Sequence, residues 1–391
     1  RVLRARLADG NFFYKDDQKT KLGERKEALN QLTFQKGLGS YGDKVDRLVK
    51  LARLISESLR LDSRLTICLD RAMELCKLDL VTNLVRELPE LQGHVGAWYA
   101  EQEEQPPDVV TAIASHYSPR STDDTIPADT VGQLAAVADK LDNIVGLFAL
   151  GKKPSGSSDP YALRRQAQGL VDICIDGLKE YPINITMLVD ELLNWLEPGL
   201  KNKKGFERNK VRGEVHEFLQ QRLIGKLLDS GLGREIVEAA VSARDPFENL
   251  PDVVVRGACL EKLLKSDGGL DLARIAVRVG KILGADSPDR VDANLFAVDA
   301  ERNLWETFNK EVVKQWQKDA EPFRTPSDKA QYEQLLALLR PLIPVVDKFF
   351  DDVMVNDPDR SKRDNRHGML KQIDRYFRSV ADFPKLQSLL P

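Results

Sequence analysis

The sequence predicts an all-α protein made of several helical domains. Three observations carry that prediction: apolar residues recur at spacings of three and four along nearly the whole chain, strand-like alternation is almost absent, and clusters of Gly, Pro, Ser and Lys punctuate the periodic segments. With 391 residues, 42% hydrophobic and 30% charged, the chain is long enough to bury two or three separate cores.

Val45, Leu48, Ala52, Ile55 and Leu59 form the first clear helical stripe, after Asp43, and Leu65, Leu69, Ala72, Cys76 and Leu80 form the next. A third stripe, Val131, Leu134, Ala138, Leu141, Val145 and Phe148, ends at Gly151 before the loop Lys152-Lys153-Pro154-Ser155-Gly156-Ser157-Ser158. Asp159 then offers an N-cap oxygen and Pro160 suits a first helical position, so a helix burying Leu163, Ala167, Leu170, Cys174 and Leu178 is expected to start there. Asn202 to Gly205 and Ser266-Asp267-Gly268-Gly269 mark later breaks, and a loop around Pro322 and Pro326 is expected to divide the last section internally. These breaks suggest units at 1–158, 159–269 and 270–391.

Composition narrows the function classes. A net charge of -3 gives no global attraction to nucleic acid, so RNA binding would need local basic faces. Cys68, Cys76, Cys174 and Cys259 form no CxxC pair or zinc-knuckle spacing and read as buried core thiols. No apolar run approaches the ~20 residues that span a bilayer, and Arg1 to Asp9 is no signal peptide. A cytoplasmic protein is the expectation, and the missing initiator Met suggests a longer parent chain.

Several strings invite a chemical reading. Gly146-Leu147-Phe148-Ala149-Leu150-Gly151-Lys152-Lys153 nearly spells a phosphate-binding loop, but no Ser or Thr follows the Lys to hold magnesium and the glycines bracket a helix end. His94, His116, His216 and His367 are the only histidines, and none sits in a nucleophile motif. No catalytic residue is assigned. Ala138-Asp139-Lys140-Leu141-Asp142-Asn143 resembles the last motif of the HD superfamily, all-α metal phosphohydrolases, with Asp139 at the position of the distant metal ligand. Helical spacing puts Asp142 inside the apolar stripe and Asp139 at its edge, so a buried carboxylate in need of a donor is expected. The matching His-Asp position reads Leu78-Asp79 and the first ligand position, near Gln35, has no His. Asp79, Asp139 and Asp142 are therefore remnants without a metal, since carboxylates alone make a weak, wet site. His116 is the one imidazole weighed as a substitute ligand; a surface or hydrogen-bonding role is preferred for it.

Further blocks identify a family. Phe12-Phe13-Tyr14-Lys15, Phe34-Gln35-Lys36-Gly37-Leu38-Gly39, Asp79-Leu80-Val81-Thr82-Asn83, Glu90-Leu91-Gln92-Gly93 and His116-Tyr117-Ser118-Pro119-Arg120 come first. Asp159-Pro160-Tyr161-Ala162-Leu163-Arg164-Arg165-Gln166-Ala167 and Phe349-Phe350-Asp351-Asp352-Val353-Met354-Val355 with Asn365-Arg366 follow. In this order, over nearly the whole chain, they resemble the β subunit of bacterial heterotetrameric glycyl-tRNA synthetase. The resemblance implies a degenerate HD-like domain over 1–158, a helical body over 159–269 and a C-terminal anticodon-binding domain over 270–391. It implies partners too: glycine tRNA, and an α subunit in an α2β2 assembly. That α chain would hold the ATP and magnesium of aminoacylation, leaving no cofactor in this one and no activity alone. Bacterial cytoplasm is the implied compartment, with the plastid stroma as the alternative. Where the family has Leu-Ala after Asn-Arg, this sequence has His367-Gly368; glycine inside a helix costs about 1 kcal/mol, so a late start or loose first turn is expected there.

Residues 360–391 carry eight basic and three acidic residues, net +5. Lys371, Arg375 and Arg378 share one helix face, opposite Leu370, Ile373, Phe377 and Val380, so packing the apolar face presents the basic one to solvent. That face suits a phosphate backbone. With Arg363 and Arg366 upstream, and with Arg164 and Arg165, which oppose the dipole of the helix they begin, these are the expected tRNA contacts. The competing readings are an active HD-type phosphohydrolase and a helical scaffold that binds protein alone.

Overall fold

The structure, a computed structural model, describes residues 2–121, 123–201, 205–316 and 328–390, with side chains from residue 9 onward. Helices dominate the described residues. The named strands, Thr33–Gln35 and Gly39–Ser40, form one short antiparallel hairpin. No helix among the described residues is long and apolar enough to cross a membrane. The expected loop around Pro322 and Pro326 lies outside the described residues, as do positions 202–204 of the break at Asn202 to Gly205.

Contacts group the chain into two compact units: Arg1–Leu223 with Phe247–Pro251, and Ile224–Pro246 with Asp252–Pro391. The break expected at 158 falls inside the first unit, because the helix Leu163–Asp172 packs back on Thr130–Ala149. Residues 159–269 divide between the two units.

Thr130–Ala149 is the axis of the first unit. Apart from Thr130 and Asn143 every residue in it is buried, as expected of a helix that is apolar nearly all round. Tyr41–Leu59, Ser63–Leu75, Pro107–Ser115, Leu163–Asp172 and Ile185–Leu200 pack around it. Tyr41–Leu59 starts on a reciprocal cap: the Asp43 amide donates to Ser40 Oγ at 3.1 Å, and the Ser40 amide donates to the Asp43 carboxylate at 2.7 Å. Gly146 lies within this helix with the Leu38 side chain packed on it, closer than a Cβ would allow without a shift of Leu38. Gly151, at φ 73°, turns the chain out of the helix. The phosphate-loop look of Gly146 to Lys153 is thus a packing site followed by a helix terminus.

The Leu163–Asp172 helix begins three residues later than Pro160. Ala162 takes a left-handed conformation (φ 53°), and Asp159 caps across that kink, accepting from the amides of Leu163 at 2.8 Å and Arg164 at 2.9 Å. Asp159 is a cap, as the sequence suggested, but one reaching over a turn.

In the second unit, Gly269–Ile282, Asp299–Thr307, Lys329–Leu339, Leu342–Asp352 and Arg360–Val380 enclose one core that includes Leu272, Ile275, Leu304, Phe349, Ile373 and Phe377. Arg360–Val380 runs unbroken from its Asp359 cap through Gly368, so the expected late start or loose first turn does not occur. A Cβ at Gly368 would collide with the Arg290 carbonyl oxygen. Glycine there admits a neighbouring stretch of backbone.

Candidate functional site

Two places gather the charged residues singled out by the sequence, one in each unit. The first is an interior cluster on the Thr130–Ala149 helix. Asp139 and Asp142 are both buried, and three cations from outside that helix hold them. Lys44 stands 3.0 Å from Asp139 and 2.9 Å from Asp142; Lys77 stands 3.0 Å from Asp139; Arg47 donates to Asp142 at 2.6 Å. Arg47 also donates to the Leu38 carbonyl at 3.1 Å, fastening the hairpin to the cluster. Asp79 lies apart from these ion pairs, accepting the Gly93 and Gly96 amides at 2.6 and 3.2 Å at the start of the helix His94–Gln102. It acts as a remote helix cap.

His116 is fully buried, and of the surface or hydrogen-bonding role preferred from sequence it takes the second. Its Nδ1 lies 2.7 Å from the Ile113 carbonyl and its Nε2 lies 2.9 Å from the Lys77 ammonium. Since an ammonium only donates, Nε2 accepts and Nδ1 carries the proton. Burial and the Lys77 charge push the imidazole well below its ordinary value, keeping it neutral. Burial alone would raise Asp139 and Asp142, yet the adjoining Lys44, with Lys77 and Arg47, holds both below the usual carboxylate range. Burial pushes Asp79 up to about 6.

This donor set does not fit a divalent metal. The carboxylates are turned on two ammoniums and a guanidinium, and the neutral imidazole presents its lone pair to one of those ammoniums. No group of three or more His, Cys, Asp or Glu with metal-binding proximity occurs among the described residues. Hydrolysis by a metal-bound water has no support here.

The second place is an open hollow of about 800 Å³ in the C-terminal unit, where Lys371, Arg375 and Arg378 line one wall and Arg244 another. The sequence-predicted basic face therefore surrounds a concavity. Asp289 and Asp374 line it too. Lys371 donates to the Ser287 carbonyl, and Arg378 pairs with Asp374 at 2.6 Å and Asp382 at 3.6 Å. Arg244 is anchored by Asp252 at 2.5 Å and the Tyr332 hydroxyl at 2.6 Å. Such tethers fix long side chains in advance, lowering the entropy lost when they meet a ligand.

The other predicted contacts separate. Arg366 is a correction: it is buried, pairs with Glu301 and Asp357 at 2.6 Å each, and donates to the Met354 carbonyl at 2.9 Å, so it builds the core and has no face for RNA. Arg363 is half-buried, donating to the Asp357 carbonyl at 3.4 Å beside Asp364 at 3.9 Å. Arg164 donates to the Gly156 carbonyl at 2.7 Å, which relieves its position in the first turn without a carboxylate. Arg165 is exposed, with no hydrogen bond or ion pair among the described residues.

A family model described as glycyl-tRNA synthetase beta subunit matches residues 1–242. The glycine--tRNA ligase beta subunits of Acidithiobacillus ferrooxidans, Desulforamulus reducens and Syntrophomonas wolfei are 37%, 35% and 36% identical to this chain over 393, 388 and 387 residues. This chain belongs to the glycyl-tRNA synthetase β-subunit family. Each of those matches covers 99% of the chain and 54% of the relative, so the chain spans about half the length of the curated relatives it matches.

Within this β-subunit chain, sequence reading missed Lys44, Arg47, Lys77, Lys140 and Arg244. A signal existed for the first: Lys44 sits four residues before Leu48 and eight before Ala52, inside the apolar stripe, where a cation is buried and needs a partner. Arg244 had none, because its place on the hollow depends on the tertiary fold.

Proposed function

We propose that this chain is the tRNA-binding part of a glycine-tRNA ligase β subunit, holding glycine tRNA for ATP-dependent aminoacylation at the active site of a separate α subunit in an α2β2 assembly. The observation that carries the reading is the coincidence of family membership with the cationic hollow around Lys371, Arg375, Arg378 and Arg244. Cations spaced around a concavity match successive phosphates of a folded RNA, and contacts of this kind position a nucleic acid without reading its bases. The C-terminal unit then serves as an anticodon-binding domain, and the N-terminal unit is an HD-like domain whose metal chemistry has been replaced by the Lys44, Lys77 and Arg47 ion pairs. The reaction occurs in the bacterial cytoplasm. ATP and magnesium belong to the α chain's site, and this chain contributes by orientation, which removes the entropy of bringing the 3′ end to the reacting centre.

Nuclease footprinting of glycine tRNA with the 391-residue chain tests this reading. Protection of the anticodon arm, lost in a Lys371, Arg375, Arg378 triple alanine variant, is the expected outcome. An unprotected anticodon arm at saturating protein contradicts it.

A further inference from the structure

The N-terminal unit holds a third buried lysine, which the interior cluster does not take into a direct ion pair. Lys140 is 2% exposed, yet unlike Lys44 and Lys77 it forms no ion pair among the described residues. Its ammonium donates to the Tyr117 carbonyl at 2.9 Å, leaving two of its three donors unaccounted for. Burial depresses it to about 8 against the opposing pull of the Asp139 charge.

Lys140 lines a hollow of about 290 Å³ together with Arg120, Arg165, Gln92, Asn143 and Gln166. Arg120 is fixed: it donates to the Gln92 carbonyl at 3.0 Å and lies over the Tyr117 ring at 5.4 Å, with no ion pair among the described residues. Arg165 has no partner there at all. Asp139 also borders the hollow, and Lys44 and Lys77 both pair with its Oδ1. Three cations with no ion pair among the described residues thus line one concavity, outnumbering the single carboxylate, Asp139, that borders it.

We propose that this hollow is a phosphate-binding site, in which Lys140 meets the phosphoryl oxygens from the floor and the guanidiniums of Arg120 and Arg165 close on them from the rim. A tetrahedral dianion supplies the acceptors that all three cations lack, and guanidinium forks match its geometry. The phosphate comes from a free phosphate compound or from an RNA backbone. The site lies in the N-terminal unit and stands apart from the tRNA reading of the C-terminal hollow.

Equilibrium dialysis of the whole chain against labelled inorganic phosphate at low salt tests it, with Lys140→Met, Arg120→Ala and Arg165→Ala alongside. Saturable uptake that weakens about tenfold in each arginine variant, the loss of one charge-assisted hydrogen bond, is expected. Arg165 is exposed and its side chain makes no hydrogen bond or ion pair among the described residues, so its variant tests the site even where Lys140→Met unfolds the protein; an unaltered thermal midpoint for Arg165→Ala confirms that. Absence of saturable uptake, or uptake equal in wild type and both arginine variants, overturns the proposal. Glycine tRNA added as a competitor separates the sources: displacement assigns the phosphate to an RNA backbone, retention to a free compound, and the site stands in both cases. An Arg375→Ala variant weakened in tRNA binding but unchanged in phosphate uptake keeps this test distinct from that of the C-terminal hollow.

Discussion

The ammonium of Lys77 stands 2.9 Å from Nε2 of His116 and 3.0 Å from a carboxylate oxygen of Asp139. A single side chain thereby fixes the tautomer of one buried group and pairs with the charge of the other. Removing it leaves Asp139 to Lys44 alone. Lys77→Met is therefore expected to destabilise the N-terminal unit by about 3 kcal/mol, the lower end for breaking a buried ion pair. Urea unfolding followed by circular dichroism measures this, and an unchanged midpoint contradicts it.

Asp79 gives a pH prediction with a definite sign. Burial raises its carboxyl from 3.8 to about 6, so the stability it contributes is full below the unfolded value and is lost as pH rises through about 6. Asp79→Asn keeps an oxygen for the Gly93 and Gly96 amides and removes the titration. The variant's stability relative to wild type should rise by roughly 2–3 kcal/mol between pH 4 and pH 7. Parallel stability curves for the two proteins would show that Asp79 does not titrate as an interior group.

Arg366 separates structure from binding. Buried against Glu301 and Asp357, it should cost about 3–5 kcal/mol when replaced by alanine, while the folded fraction keeps the salt dependence of tRNA binding. A flattened salt slope with unaltered stability is the opposite pattern and would return Arg366 to the RNA surface.

Gly368→Ala inverts a common rule. Alanine is ordinarily better inside a helix by about 1 kcal/mol. Here its Cβ runs into the Arg290 carbonyl, so overpacking of about 1–3 kcal/mol is expected instead. Thermal unfolding decides the sign.

The fold class was legible because helical spacing is local, and the Thr130–Ala149 axis was visible as a stripe with carboxylates inside it. Packing across loops was not: Lys152 to Ser158 looks like a break in sequence, and the structure shows Leu163–Asp172 packed back on the helix before it. Among basic residues, Lys371, Arg375 and Arg378 stayed on one surface because one helix carries them. Arg366 looked alike but turns inward, since Glu301 and Asp357 reach it from elsewhere in the sequence. The identity of His116's partner was equally hidden, because Lys77 lies 39 positions away.

The measurement that bears most directly on the central claim is the salt dependence of binding to glycine tRNA and to a non-cognate tRNA, for wild type and for the Lys371, Arg375, Arg378 triple alanine variant. The account predicts preference for glycine tRNA, affinity that falls with salt, and a log–log slope shallower in the variant by about 0.9 for each phosphate it no longer neutralises. Equal binding and equal slopes in wild type and variant would contradict the assignment of the C-terminal hollow as the tRNA-binding surface.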